Sequence, residues 1–226
     1  DPGSRAPFPY RSPPMSRFTL LAAAALALLP NAAQSQLAWE TPRMLGPNSP
    51  GGLAVHWLQA ETLPGDGEGI MATWQFPGLP EGVFLRGGAG TGANDESAAF
   101  GGIDVRTRIT DSREGQPLDI AWIAGAGIGV GDYLLATVPV GLTAGHTWAS
   151  GSVWFSPYIG VGIAMDYRRE LDDDSDVPDD EFDVYPTADL GVDLSLDPAR
   201  RFVLRAAASL GDRQAIALGL AIQGGR

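Results

Sequence analysis

The sequence lacks cysteine and lysine, and it is short of positive charge. Of its 226 residues, 15 are basic, all of them arginine, against 27 aspartates and glutamates. Without cysteine, neither a disulfide nor a thiolate metal site can form. The formal net charge of −12 argues against nucleic acid as a partner, because phosphate binding requires a basic face. The length fits one domain of ordinary size.

The chain also has little that could cross a membrane as a helix. Near the N-terminus, Met15, Ser16 and Arg17 precede an apolar run of 12 residues, 18–29, whereas a spanning helix requires about 20. A small-x-small site, Ala33-Gln34-Ser35, follows the run. This order predicts a secretory signal peptide over residues 15–35 and an exported protein. Residues 1–14 precede the start at Met15 and are predicted to be an upstream extension outside the fold.

Helical periodicity is missing from the rest of the chain. No segment after residue 35 repeats apolar residues at i, i+3, i+4 and i+7 over three turns, so almost no helix is expected. Residues 36–52 contain proline, glycine and asparagine, and they predict an irregular periplasmic lead-in. From Leu53 onward, period-two runs between turn residues predict strands. Ten are expected, or eight if the first two do not form: 53–62, 69–77, 82–91, 97–110, 118–130, 133–149, 153–169, 182–197, 202–210 and 213–223.

The stretch WFSPYIGVGIAMDY, residues 154–167, shows how these strands divide into two faces. Every second residue from Phe155 is bulky and mostly apolar, whereas the residues between are mostly small, with a few polar groups. A soluble sandwich or lipocalin-type barrel would need a charged outer face. From Leu118 to Ala164, however, the only charged residues are Asp119 and Asp132. The bulky face is therefore predicted to meet lipid, and the small face to line a narrow lumen.

This pattern predicts an all-β fold over residues 53–226, a closed antiparallel up-and-down transmembrane β-barrel of 8–10 strands. Short turns at 150–152 and 197–200 follow even-numbered strands, whereas the long acidic segment 170–181 follows an odd one. One end of the barrel therefore carries short turns, and the other can carry a long loop. The predicted lipid-facing band comprises Ile120, Trp122, Ile128, Val130, Val138, Val140, Leu142, Phe155, Ile159, Val161 and Ile163.

The block ATVPVGLTAGHTWASGSVWFSPYIGVGIAMDY, residues 136–167, together with the signal peptide, resembles small bacterial outer-membrane β-barrel proteins of the OmpA, OmpX and OmpW type. The motif that carries the resemblance is a hairpin made of a P-V-G-L-x-x-G strand, a short turn and a P-Y-x-G-x-G strand. The resemblance implies a monomer in the outer membrane, in contact with lipid and inserted by the barrel assembly machinery. It also implies that both termini and the short turns face the periplasm, and that loop 170–181 faces outside.

Charged residues on the small face predict a polar network inside the barrel. Arginine and aspartate should pair there, because an unpaired buried charge is costly. A structural, salt-bridged interior is favoured, and a charge-lined pore is the alternative; eight to ten strands leave no room for a wide channel. Replacing Asp189 or Arg205 by leucine should then destabilise the barrel more than any change in loop 170–181. The network comprises Asp104, Arg106, Arg108, Asp166, Asp189, Asp193 and Arg205, with Tyr185 beside it.

No catalytic, cofactor or metal signature stands out. G-x-S-x-G, P-loop, H-E-x-x-H and dinucleotide fingerprints are absent. His146 lies four residues before Ser150, about 13 Å away in an extended strand, and His56 has no evident partner. The eight acids in residues 170–181 suggest a calcium site, but a solvated charged loop is favoured because EF-hand spacing is absent.

The sequence therefore favours a non-enzymatic outer-membrane barrel with a structural, adhesive or envelope-interaction role and no cofactor. Two alternatives stay open. One is a lipid-modifying enzyme or a conduit for a small apolar ligand, and the other is a soluble exported lipocalin-like barrel.

Overall fold

The chain folds into a barrel of antiparallel strands. The computed structural model describes residues 41–62, 65–75, 80–91, 97–131, 133–170, 180–211 and 214–223. The predicted upstream extension and signal peptide lie outside these ranges. The strands are β1 (Leu53–Thr62), β2 (Gly65–Trp74), β3 (Val83–Thr91), β4 (Ser97–Thr110), β5 (Asp119–Val130), β6 (Tyr133–Gly145), β7 (Trp148–Ser150), β8 (Val153–Glu170), β9 (Asp180–Ser195), β10 (Phe202–Leu210) and β11 (Ala215–Ile222).

Strands β6 and β7 are two parts of one barrel strand. Both pair with β8 in the same register, from Tyr133↔Glu170 to Ser150↔Val153. The ladder is interrupted beside Pro157, because proline has no backbone N–H to donate. The carbonyl of Pro157 still accepts a bond of 3.4 Å from the N–H of His146. With β6 and β7 counted as one strand, the barrel has ten strands, which is the larger of the two numbers predicted from the sequence.

The barrel closes through its first and last strands. Each strand pairs antiparallel with its neighbours in chain order, and β1 pairs with β11 from Leu53↔Ile222 to Ala60↔Ala215. The first two strands, which carried the weakest pattern, both form. β2 begins at Gly65 rather than at the predicted residue 69, because its pairing with β1 continues to Thr62↔Gly65. Cross-strand partners here override the low strand propensity of glycine and aspartate.

The two faces are arranged as the alternation predicts. Along β8, Ile159, Val161 and Ile163 are exposed on the outside, whereas Tyr158 and Asp166 are buried inside. The described residues include one short 3-10 turn, Ser112–Glu114, and in them no helix is long and apolar enough to cross a membrane. The end of the barrel with the turns at 151–152 and 196–201 is called the short-turn end, and the opposite end is called the long-loop end.

Candidate functional site: the lumen and the segment that closes it

The segment before β1, residues 41–52, lies inside the barrel and is called the plug here. Met44 and Leu45 are 1% and 2% exposed, and Thr41, Arg43 and Ser49 are also buried. The plug has no regular secondary structure apart from a tight turn, in which the N–H of Ser49 donates to the carbonyl of Gly46 at 3.1 Å. The sequence predicted its irregular backbone but did not indicate that it enters the lumen.

Three arginines from the barrel wall donate to the backbone carbonyls of the plug. Arg86 Nη2 lies 2.7 Å from the carbonyl oxygen of Arg43. Arg106 Nη1 donates to the carbonyls of Gly46 and Ser49 at 2.6 and 2.9 Å. Arg205 Nη2 donates to the carbonyl of Pro50 at 2.8 Å. An irregular backbone enclosed in a barrel cannot pair its carbonyls with a neighbouring strand, so these side chains supply the missing donors.

Two of the wall arginines are also paired with buried aspartates. Arg86 Nε lies 3.0 Å from Asp104 Oδ2, and both side chains are less than 5% exposed. Arg205 Nε lies 3.2 Å from Asp193 Oδ1, again with both side chains buried. In this second pair the N–H does not point at the oxygen, so it is an ion pair rather than a hydrogen bond. Arg205 therefore links the plug and an aspartate of β9.

Several lumen carboxylates, Asp193 among them, accept hydrogen bonds from hydroxyl and amide groups. Asp193 Oδ2 accepts from the plug residue Ser49 at 2.6 Å. Asp189 accepts from Ser209 at 2.6 Å, and Asp166 accepts from Thr137 at 2.5 Å. Near the short-turn end, Asp119 accepts from Asn48 of the plug at 2.6 Å and from Ser112.

The structure places most of the sequence-predicted network residues together in the lumen. Asp104, Asp166, Asp189, Asp193 and Arg205 are buried there, and Arg106 is half-buried against the plug. Arg108 lies at the short-turn rim and is 41% exposed; it pairs with Asp111 at 2.6 Å and donates a long bond of 3.4 Å to Asn48 Oδ1 of the plug. That these residues stabilise the barrel stays a prediction.

The predicted network left out two arginines that are buried in the lumen, Arg43 and Arg86. Arg86 could have been found, because it lies on the small face of β3, in phase with Phe84 and Gly88. Arg43 could not, because nothing in an irregular segment indicates where it folds.

Glycines make room where the plug meets the wall. A Cβ on Gly46 of the plug would lie 2.5 Å from Tyr158 Cδ1, and a Cβ on Gly191 of β9 would lie 2.2 Å from Tyr158 Cζ. Tyr158 is therefore held between a glycine of the plug and a glycine of the wall. Small residues on the lumen side therefore leave the space that the buried Tyr158 ring fills.

A small cavity lies in the long-loop half of the lumen, beside the first residues of the plug. It offers about 50 Å³ to the centres of water molecules, enough for a few waters at the roughly 10–15 Å³ that each requires. Arg43 lines it, and the hydrogen bond from its Nη2 to Thr187 Oγ1 is long, at 3.4 Å. Tyr185, next to the predicted network, also lines this cavity.

The two histidines lie in different parts of the barrel. His56 is fully buried in the lumen, with Nε2 3.3 Å from Thr73 Oγ1. His146 lies near the short-turn end, with its ring edge-on to Trp148 at 4.8 Å between centroids. Its Nδ1 has no hydrogen-bond partner among the described residues, so no serine–histidine pair forms through that nitrogen.

The acidic segment 170–181 lies largely outside the described residues, so its suggested calcium site is not observed either way. In the described part of the chain, no group of three histidine, aspartate or glutamate side chains could hold a metal ion.

Comparison with known proteins identified similar solved structures only. No family model matches this chain, and no curated protein does. The N-terminal β-barrel domain of Pseudomonas aeruginosa OprF is 12% identical over 75% of this chain and 95% of its own, with a TM-score of 0.31. Neisserial surface protein A is 13% identical over 76% and 94%, with a TM-score of 0.33. The KdgM porin, solved in complex with disordered oligogalacturonate, is 7% identical over 76% and 99%, with a TM-score of 0.36. Identities and TM-scores this low establish neither common ancestry nor a shared function.

Proposed function

We propose that this chain is a bacterial outer-membrane β-barrel whose own N-terminal segment closes its lumen. Its role is then structural, adhesive or in envelope interactions, rather than enzymatic or conducting. Outer-membrane lipid surrounds the barrel, the barrel assembly machinery inserts it, and it functions as a monomer with no cofactor.

The observation that carries the proposal is a continuous apolar belt around the outside. Every barrel strand exposes at least one large apolar side chain, such as Ile70 on β2 at 62% and Ile128 on β5 at 56%. Among the described outward-facing positions, charged side chains occur only near the long-loop ends of strands: Glu68, Arg169 and Asp180. A soluble barrel of this size would leave that belt in water, whereas a bilayer would bury it.

Aromatic side chains flank the belt. Trp148, Phe155 and Phe202 are exposed near the short-turn end, and Tyr167 and Phe182 near the long-loop end. Trp148 and Phe155 stack with ring centroids 6.1 Å apart. Such girdles suit the two interfaces of a bilayer.

A matched pair of substitutions on β8 tests the membrane assignment. Val161→Arg places a charge in the middle of the belt and should destabilise the barrel in lipid vesicles by about 2–4 kcal/mol. Val153→Arg, at the first residue of the same strand, should cost about 0–1 kcal/mol because it lies near the interface. Urea unfolding in vesicles measures both, and equal effects would contradict the proposal.

Fractionation and electrophoresis test the location directly. The protein should be recovered in the outer-membrane fraction and should change its mobility in SDS gels only after boiling. Recovery from the soluble periplasm without such a shift would instead favour a soluble lipocalin-like barrel.

Conductance in planar bilayers tests the closed lumen. The purified full chain should insert without producing a steady open channel, because the plug and the wall arginines fill the short-turn half. Stable single-channel steps from the intact protein would favour the charge-lined pore instead.

A further inference from the structure

Two neighbouring arginines in the turn before β10 have opposite surroundings. Arg201 donates from Nε to Asp197 Oδ2 at 2.8 Å, and this hydrogen bond raises the pKa of Arg201. The carboxylate of Asp197 also accepts from the backbone N–H groups of Ala199 and Arg201. Its oxygens are therefore engaged within the turn, and Arg200 forms no ion pair with any residue that the structure describes.

The side chain of Arg200 is held against an aromatic ring instead. Its Cζ lies 3.4 Å from the centroid of the Trp154 ring. Its Nε and Nη2 are shielded from water and have no hydrogen-bond partner among the described residues. The backbone of Arg200 has a φ of 52°, a left-handed conformation that is unfavourable for a residue with a side chain. Strain of this kind is concentrated at functional sites, where the surrounding contacts maintain it.

The stack of Arg200 on Trp154 lies at the short-turn mouth of the lumen. Trp154 pairs with Ser195, which is the pair between β8 and β9 closest to that end. It alternates with Ser156 and Tyr158 on the lumen side of β8. Arg200 is half-buried, so part of its side chain stays open to water. Because stacking uses the face of a guanidinium, its N–H edge can still bind an anion.

Arg113 supplies a second positive charge at this mouth. It lies exposed on the 3-10 turn between β4 and β5 and forms no ion pair within the described part of the chain. Partial burial, followed by the charge of Arg113, lowers the pKa of Arg200. Asp193 acts in the opposite sense, but its carboxylate already contacts Arg205 and Ser49. Two like charges without an acid of their own repel each other, and a bound anion would relieve that repulsion.

We propose that Arg200 and Arg113 form a binding site for a phosphate group at the short-turn mouth, with Trp154 as the platform that holds Arg200. A phosphate monoester carries about two negative charges, which suits two guanidinium groups, whereas a carboxylate would neutralise only one of them. The phosphate is either free in solution or part of a lipid headgroup at the rim, where Phe155 and Phe202 are exposed. Only the lipid source rests on the proposed function.

Titration of the purified full-length barrel with inorganic phosphate in neutral detergent tests the site. Calorimetry should show saturable binding that is weakened at least about tenfold in Arg200→Gln and in Arg113→Gln, because each variant loses charge-assisted hydrogen bonds. Arg169→Gln at the long-loop end removes the same charge elsewhere and should bind as the wild type does. Arg200→Gly should stay folded and still lose binding, because glycine adopts the left-handed backbone without strain.

The same variants distinguish the two sources of phosphate when they are titrated with phosphatidic acid and analysed by native mass spectrometry, with phosphatidylcholine as the control lipid. Binding of inorganic phosphate alone would support a soluble ligand. Retention of phosphatidic acid by the wild type but not by Arg200→Gln would support a lipid headgroup. The proposal would be wrong if neither probe bound, or if both arginine variants bound the probes as tightly as the wild type.

Discussion

The two halves of the lumen differ in what fills them. The short-turn half contains most of the plug, with Arg106 and Arg205 bonded to its backbone and Tyr158 held between two glycines. The long-loop half contains charged and hydroxyl-bearing side chains, such as Arg43, Asp189 and Thr187, around a cavity with room for a few waters. One half is sealed by protein, and the other can be solvated.

The difference shows what an irregular segment requires inside a barrel. Few of its carbonyls meet a backbone N–H, so most of the buried ones need a side-chain donor, and arginine can supply several from one position. Beside the cavity, water can satisfy the polar groups that the protein leaves without a partner. Changes in the short-turn half should therefore be more damaging than matched changes elsewhere.

The largest effect should come from Arg205→Leu. This substitution leaves Asp193 buried without its charged partner and the carbonyl of Pro50 without its donor. We expect a loss of about 3–5 kcal/mol in the free energy of unfolding. Arg108→Leu at the rim is the matched control and should cost less than about 1 kcal/mol. Urea unfolding in detergent measures both, and similar losses would remove the distinction between lumen and rim.

Gly46→Val should have the next largest effect, because it forces a side chain into the ring of Tyr158. That ring cannot move away, since Gly191 bounds its other face. A loss of about 1–3 kcal/mol is expected. Gly160→Ala is the control in the lumen, because its Cβ would lie 3.5 Å from Asp189 and should leave stability unchanged or raise it by up to about 1 kcal/mol. Thermal unfolding with equal shifts for both variants would contradict a tight contact between plug and wall.

Two hydroxyl deletions compare the halves directly. Ser49→Ala removes the group that donates to Asp193 and accepts from the N–H of Gly46, both buried, and should cost about 1–3 kcal/mol. Thr187→Val removes one long bond from Arg43 beside the cavity, where water can replace it, and should cost less than about 1 kcal/mol. If Thr187→Val had the larger effect on the unfolding midpoint, the long-loop half would be the more tightly organised one.

The smallest effect should lie outside both halves, in the turn before β10. The hydrogen bond from the Arg201 side chain, followed by the N–H of Ala199, lowers the pKa of Asp197. The stability that this carboxylate adds is complete above its unfolded pKa of about 3.9 and is lost as the pH falls through its lower folded pKa. Unfolding midpoints measured from pH 5 downward should therefore fall slightly more for the wild type than for Asp197→Asn. If the midpoints of the wild type and of Asp197→Asn fell in parallel with pH, the carboxylate of Asp197 would add no stability.

The wall of the barrel could be predicted from the sequence, because a period of two assigns each residue to one face. Ile159 and Gly160 were placed on opposite faces by alternation alone, and the ten strands follow from the same pattern. Arg205 and Asp193 could be assigned to the lumen in the same way.

The contents of the lumen could not be predicted to the same extent. Residues 41–52 have no periodicity, so their position is fixed only by contacts with distant residues such as Arg86 and Asp119. For that reason the sequence predicted that arginines would pair with aspartates, but not that they would also donate to a backbone. Arg106 bonds to carbonyls of the plug and forms no ion pair within the described part of the chain.

The pairing of β1 with β11 has a consequence for the order of assembly. The barrel is sealed where its first and last strands meet, so the seal cannot form until the whole chain is available. The plug is joined directly to β1 and would have to be threaded through a finished barrel if it arrived later. We therefore expect β1 to pair with β11 while the plug is being enclosed, and the arginines that bond to the plug to favour completion of the wall.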